Sequence, residues 1–164
     1  LKPDHLTRMD QLARENNVGV IVAPNFSLGA AILTVLAKKA APYFEYVDII
    51  ESHHENKVDS PSGTSIAIAH AVSQSKEFVR NEPSIETLLS TRGGSYKGVG
   101  IHSLRQPGRS AHHEVVFGAQ GQTLSLRHDT LTRDCYMPGV IEAIRTVVNL
   151  KSLVVGLERI LDLE

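Results

Sequence analysis

His112-His113-Glu114-Val115-Val116-Phe117-Gly118-Ala119-Gln120-Gly121-Gln122-Thr123-Leu124-Ser125-Leu126-Arg127-His128-Asp129 reads as two strands joined by a tight connection. In the second, Leu124, Leu126 and His128 alternate with Ser125, Arg127 and Asp129. A period of two gives a strand one packed face and one polar face. Gly118 to Gly121 supply the small residues a hairpin needs. A hairpin with one packed face is the signature of an antiparallel sheet. Upstream, Val99 to Arg105 and Phe44 to Ser52 read as further strands. Residues 76–97, polar and carrying Pro83 and Gly93-Gly94, read mostly as loop.

Three helices surround these strands. Leu28 to Ala41 carries Leu28, Ile32, Val35 and Leu36 as an apolar stripe, and Pro42 stops it. Thr64 to Ser75 carries Ile66, Ala69 and Val72. Asp134 to Leu150 places Met137, Val140, Ile141, Ile144, Val147 and Val148 at helical spacing. The centre is therefore an α+β domain, with a mixed, mostly antiparallel sheet of about four strands and helices on one face.

The ends follow another pattern. Pro3-Asp4 opens a helix with Leu6, Met9, Leu12 and Ala13 on one face. Val18 to Ala23 (VGVIVA) is nearly all apolar, as strands buried in parallel sheets are. A parallel strand needs neighbours reached through crossovers, and no strand precedes this one. VGVIVA is thus expected to be disordered or to pair with another chain. The tail, Ser152 to Glu164, is an apolar Leu-Val-Val followed by a short helical turn. Residues 1–24 read as the last helix and strand of an α/β domain, residues 25–150 as the central domain, and residues 151–164 as a tail returning to the first.

Composition narrows the function. A formal net charge of -1 gives no electrostatic footprint for nucleic acid or an anionic membrane. No apolar run approaches the roughly 20 residues of a membrane span. Cys135 is the only cysteine, which excludes an internal disulfide and fits a reducing, cytoplasmic setting.

The densest polar cluster is Glu51-Ser52-His53-His54-Glu55-Asn56-Lys57-Val58-Asp59-Ser60-Pro61-Ser62-Gly63-Thr64, between a predicted strand and a predicted helix. Rigid elements often present functional loops in this way. Ser62, Gly63 and Thr64 stand where the helix begins, and orphan backbone N–H groups there can bind a carboxylate. Lys57 is a mobile cation, and His53 and His54 titrate near neutrality, which suits acid–base work. Plainer readings stand beside each. Ser-Gly-Thr is also an ordinary helix cap, and Lys57 alone is also an ordinary solvated charge. Glu55 either lowers the local potential or pairs with Lys57. A metal site on His53 and His54 lacks the third ligand that even a catalytic zinc needs. His112 and His113 point to opposite faces of a strand and read as structural.

The string from Glu51 to Thr64 resembles the substrate-loop signature of the dihydrodipicolinate reductases, also called 4-hydroxy-tetrahydrodipicolinate reductases: E-x-H-H-x-x-K-x-D-x-P-S-G-T. Every fixed position is filled. Ala23-Pro24-Asn25-Phe26-Ser27 resembles the family's joint between nucleotide and substrate domains, and Gly118 to Asp129 its later sheet strands. The resemblance implies reduction of a cyclic unsaturated dicarboxylate by NADH or NADPH in lysine (diaminopimelate) biosynthesis. It implies acid–base and proton-donor roles for His53 and Lys57, substrate contacts from His54, Ser62, Gly63 and Thr64, and cofactor contacts from Ala23, Pro24, Asn25 and Phe26. It also implies a homotetramer joined through the sheets. In the family a Rossmann domain carries a glycine-rich loop and a Gly-Thr-Thr-Gly turn, and Leu1 would follow directly after that turn. Neither motif occurs in residues 1–164. The two ends then read as pieces of an incomplete Rossmann domain, and this chain alone is expected to be inactive. Two other roles stay open: a non-catalytic assembly module, and a histidine metal site.

Overall fold

The computed structural model describes residues 1–163. They form two compact units, one of residues 33–132 and one of residues 1–32 with 133–163. This division differs from the 1–24, 25–150, 151–164 reading in grouping the helix after residue 134 with the chain ends.

The unit of residues 33–132 is built on β2 (Tyr46–His53), β3 (Gly94–Tyr96), β4 (Val99–Arg105), β5 (Ala111–Ala119) and β6 (Gln122–Thr130). Their order across the sheet is β3-β4-β2-β5-β6. Only β2 and β4 run parallel. The chain between them crosses through α3 (Gly63–Val72), as a parallel connection requires. The sheet is mixed and mostly antiparallel, as expected, with one more strand than the sequence revealed. The extra strand, β3, is three residues long inside the stretch read as loop.

One face of this sheet is packed. Val47 and Ile49 of β2, Val99 and Ile101 of β4, and Val115 and Phe117 of β5 meet Ile68, Ala69 and Val72 of α3. Leu33, Ala37 and Ala41 join them from the later part of α2 (Leu28–Ala40) and the single 3-10 turn that follows it at Pro42. Full burial of an aliphatic or aromatic side chain contributes about 1.5–3 kcal/mol, so this cluster carries the unit. Leu124 and Leu126 of β6 pack onto it while Ser125 and Arg127 stay exposed, the alternation read from the sequence. Residues 73–93 contain no strand and no helix beyond turns. They are held by Phe78, buried in the core, and by Arg80, which donates to the carbonyls of Arg92, Gly93 and Gly94.

The other unit contains α1 (Pro3–Glu15), β1 (Val20–Val22), α4 (Met137–Val147), β7 (Leu153–Val155) and the short α5 (Leu157–Ile160). The expectation of an unpaired VGVIVA strand is overturned. β1 pairs in parallel with β7, Val20 opposite Leu153 and Val22 opposite Val155. The Leu-Val-Val of the tail supplies the missing neighbour, and Asp10 of α1 accepts a hydrogen bond from the Leu153 N–H at 2.9 Å. The helix expected from Asp134 begins as a 3-10 turn and becomes α4 only at Met137, ending at Val147. Its buried positions are the small residues Gly139 and Ala143, while Met137, Ile141, Ile144 and Val148 remain exposed. Among the described residues, no helix is long and apolar enough to cross a membrane.

Candidate functional site

The end of β2 and the start of α3 hold the chemistry. Val47, Glu51 and His53 alternate onto the packed face of β2, so the apolar core gives way to a buried carboxylate and a buried imidazole. Sheet register then chooses their neighbours. His53 stands opposite Arg105 on β4, and Glu51 opposite His113 on β5.

Glu51 is fully buried and is the centre of the cluster. Arg105 grips it with both ends of the guanidinium, Nη1 to Oε2 at 2.9 Å and Nη2 to Oε1 at 2.8 Å. His53 Nδ1 lies 2.5 Å from Oε2. The backbone N–H of Ser62 donates to Oε1 at 3.2 Å. Burial pushes the Glu51 carboxyl up, but hydrogen bonds from Arg105, Ser103 and His53 outweigh it and hold the group below its ordinary value. An ionised carboxylate can only accept, so His53 Nδ1 carries the proton. Burial lowers the His53 pKa, and the attraction of Glu51 does not fully offset it. The ring is therefore neutral at pH 7, with Nε2 as its acceptor.

Ser62 caps α3 in the usual way, its Oγ accepting from the Ser65 N–H at 3.2 Å. The same oxygen lies 2.9 Å from Ser65 Oγ and 3.0 Å from His113 Nε2. His113 is buried, edge-on to His53 with ring centroids 5.4 Å apart. Burial and then the neighbouring His53 depress its pKa to about 4. With the Ser62 and Ser65 N–H groups engaged, Gly63 and Thr64 supply the orphan donors of the helix start. A side chain built on Gly63 would meet nothing within 4 Å, so the approach to those donors is open.

Lys57 and His54 lie on the loop between. Lys57 Nζ donates to Asp59 Oδ1 at 2.5 Å, so its partner is Asp59 and not Glu55, which is exposed. Asp59 is held below its ordinary pKa, first by that hydrogen bond. Arg105 Nη2 also donates to the Asp59 carbonyl at 2.8 Å and so ties the loop to β4. His54 is exposed. Among the described residues no group of three or more His, Cys, Asp or Glu is placed to hold a metal ion.

The structure thus gathers His53, Lys57, Ser62, Gly63 and Thr64 around one loop and adds Glu51, Arg105 and His113. Glu51 is the first letter of the motif, and its spacing of two from His53 on a strand was the readable sign of a shared face. Arg105 gave no sign in the sequence. His112 and His113 do point apart: His112 bonds Asp129 on the open face, while His113 forms part of the site wall.

Ala23, Pro24, Asn25 and Phe26 belong to the other unit, just beyond β1. Asn25 Oδ1 accepts from the Ser27 N–H at 2.8 Å, and a Cβ on Gly139 of α4 would come within 2.0 Å of the Phe26 carbonyl. The segment follows the carboxyl end of a parallel strand, where α/β sheets bind ligands. It fits a contact with one end of a dinucleotide and does not fit a pyrophosphate site, which needs a run of free N–H groups.

Residues 29–161 match the family model described as dihydrodipicolinate reductase, C-terminus. A relative from Dehalococcoides mccartyi, called 4-hydroxy-tetrahydrodipicolinate reductase, is 45% identical over 161 residues, which is 98% of this chain and 61% of the relative. One of the same name from Listeria innocua is 43% identical over 162 residues, 98% of this chain and 62% of its own. The solved structure of dipicolinate-bound dihydrodipicolinate reductase from Paenisporosarcina sp. TG-14 is 42% identical with a TM-score of 0.84, covering 97% of this chain and 61% of that one. The chain therefore spans about 61% of the length of the curated relatives it matches.

Proposed function

The chain belongs to the dihydrodipicolinate reductase family, matching its C-terminal part, and from this we propose that it is the substrate-binding part of a 4-hydroxy-tetrahydrodipicolinate reductase of cytoplasmic lysine (diaminopimelate) biosynthesis. In this reading the 4-hydroxyl leaves as water, a hydride adds at C4 of the ring, and tetrahydrodipicolinate forms. The hydride comes from NADH or NADPH.

The observation that carries the reading is the double use of Glu51. One oxygen orients His53 and the other holds the Ser62 N–H at the helix start. The proton-handling ring and the anion-binding turn are thereby fixed to one anchor. Gly63 and Thr64 N–H groups, with the Thr64 hydroxyl, grip a ring carboxylate and orient C4, on a turn that Ser62 frames. His53 is the acid–base group through Nε2. Lys57 swings from Asp59 to the substrate on its flexible stem and donates a proton as negative charge grows on the ring. His54 contacts the second carboxylate. Ala23, Pro24, Asn25 and Phe26 touch the cofactor.

The domain assignment belongs to the same proposal. Residues 25–150 carry the substrate-binding and assembly functions, and residues 1–24 and 151–164 are parts of a dinucleotide-binding domain. A parallel sheet of two strands, β1 from residues 1–24 and β7 from residues 151–164, is what part of a larger α/β domain looks like.

Calorimetric titration with pyridine-2,6-dicarboxylate, a planar mimic of the substrate and the dipicolinate held by the Paenisporosarcina relative, tests the site. The wild-type chain should bind, and Lys57→Ala should bind at least about tenfold more weakly, the equivalent of one lost charge contact of roughly 1.4 kcal/mol. Equal affinity in both would remove Lys57 from the site.

A second reading, self-assembly, is favoured by one feature. Tyr46, Ile50 and Leu104 are 36%, 38% and 41% exposed on the sheet face away from the helices. We propose that this face joins copies into a homotetramer. A light-scattering mass of a single chain at micromolar concentration would refute it.

A further inference from the structure

A buried carboxylate beside an imidazole ordinarily draws a proton onto the ring, because the charged pair is better than a lone buried anion. At Glu51 the anion is not alone. Arg105 covers both oxygens, and the same Nη1 and Nη2 also reach the Leu104 carbonyl at 2.7 Å and the Asp59 carbonyl at 2.8 Å. Its buried Nε has no partner among the described residues. The guanidinium is thus fixed in position by everything it touches.

Other groups also face His53, but none of them touches Glu51 as Arg105 does, through both oxygens. From the loop, Lys57 also pushes the His53 pKa down, while its own ion-pair partner is Asp59. From β5, His113 is buried and neutral. From the start of α3, Ser62 is uncharged, as is Ser103 on β4. His54, next in sequence, is exposed. Glu51 is therefore the anion that touches His53, and Arg105 is its counter-charge.

We propose that Arg105 is a positioning residue that fixes both the charge and the tautomer of His53. By neutralising Glu51 it leaves the carboxylate able to accept from Nδ1–H yet unable to hold the ring as imidazolium. His53 then meets its ligand neutral, with Nε2 as its acceptor nitrogen. The bearing of this on reduction rests on the function proposed above; the charge state itself does not.

The test is nitrogen-15 and carbon-13 NMR of the histidine rings across a pH titration of the whole chain. The wild type should show His53 protonated on Nδ1 and titrating below an ordinary histidine. In Arg105→Met, Glu51 is left with His53 as its counter-charge, and the His53 pKa should rise by about one unit or more. Arg105→Lys restores the charge and should bring it back toward the wild-type value. Glu51→Gln should move it the other way, downward. A wild-type ring protonated on Nε2, or a His53 pKa that Arg105→Met leaves in place, overturns the proposal. Should the Met variant fail to fold, Glu51→Gln decides: an unchanged or raised His53 pKa overturns it. A chain that shows these shifts but binds no pyridine-2,6-dicarboxylate keeps this inference and loses the functional one.

Discussion

Folding opposes the protonation of His113. The buried ring titrates at about 4, against 6.5 for an ordinary histidine. Between those values the unfolded chain binds a proton that the folded chain does not, so stability rises with pH across that window. The contribution is complete above 6.5 and is lost as pH falls toward about 4, to a total on the order of 3 kcal/mol. Urea unfolding should therefore show a smaller loss between about pH 7 and pH 5 in His113→Asn than in the wild type; equal losses would assign the effect to other groups. Ser62→Ala removes a cap and a buried partner of His113 together, and should cost about 1–3 kcal/mol by the same measurement. His53 and Ser62 were legible because one motif holds both, and Glu51 stood at the head of that motif with no role assigned to it. Arg105 and His113 were not, because strand pairing across more than forty residues brings them in, and a single sequence does not print its register.

At the scale of elements, two hairpin turns make a matched comparison. Lys97 and Gly98 both have positive φ, at 49° and 80°, which makes the β3–β4 connection a type I′ turn. Gly98 also lies so near the Phe78 carbonyl that a Cβ would come within 1.9 Å of it. Gly121, in the β5–β6 connection, has φ of 76° with open space around it. Gly121→Ala should cost about 1–2 kcal/mol, the penalty of the left-handed region alone. Gly98→Ala should cost clearly more, since a backbone carbonyl must also move; thermal melts of both variants that coincide would refute the distinction. Periodicity revealed every long element here and missed β3, whose three residues are too few to show a period. The same periodicity placed an apolar stripe on α4 but did not say which face packs: Gly139 and Ala143 turn inward, since small residues let a helix approach closely, and no count of aliphatic residues reveals that.

For the whole molecule, the prediction concerns activity. Residues 1–164 hold a candidate dicarboxylate site but no glycine-rich phosphate loop. Purified alone, the chain should oxidise neither NADH nor NADPH measurably in the presence of substrate, followed by absorbance of the reduced nicotinamide. Turnover above the enzyme-free rate would show that the cofactor can be held some other way. The pairing of β1 with β7 has one more consequence, for the order in which the protein is made. Val20 waits for Leu153, about 130 residues downstream, and at roughly 5–20 residues per second of synthesis that is a delay on the order of ten seconds. Residues 33–132 find all their sheet partners within themselves and are complete before it ends. During synthesis the sheet of residues 33–132 can therefore pair before the β1–β7 contact can form.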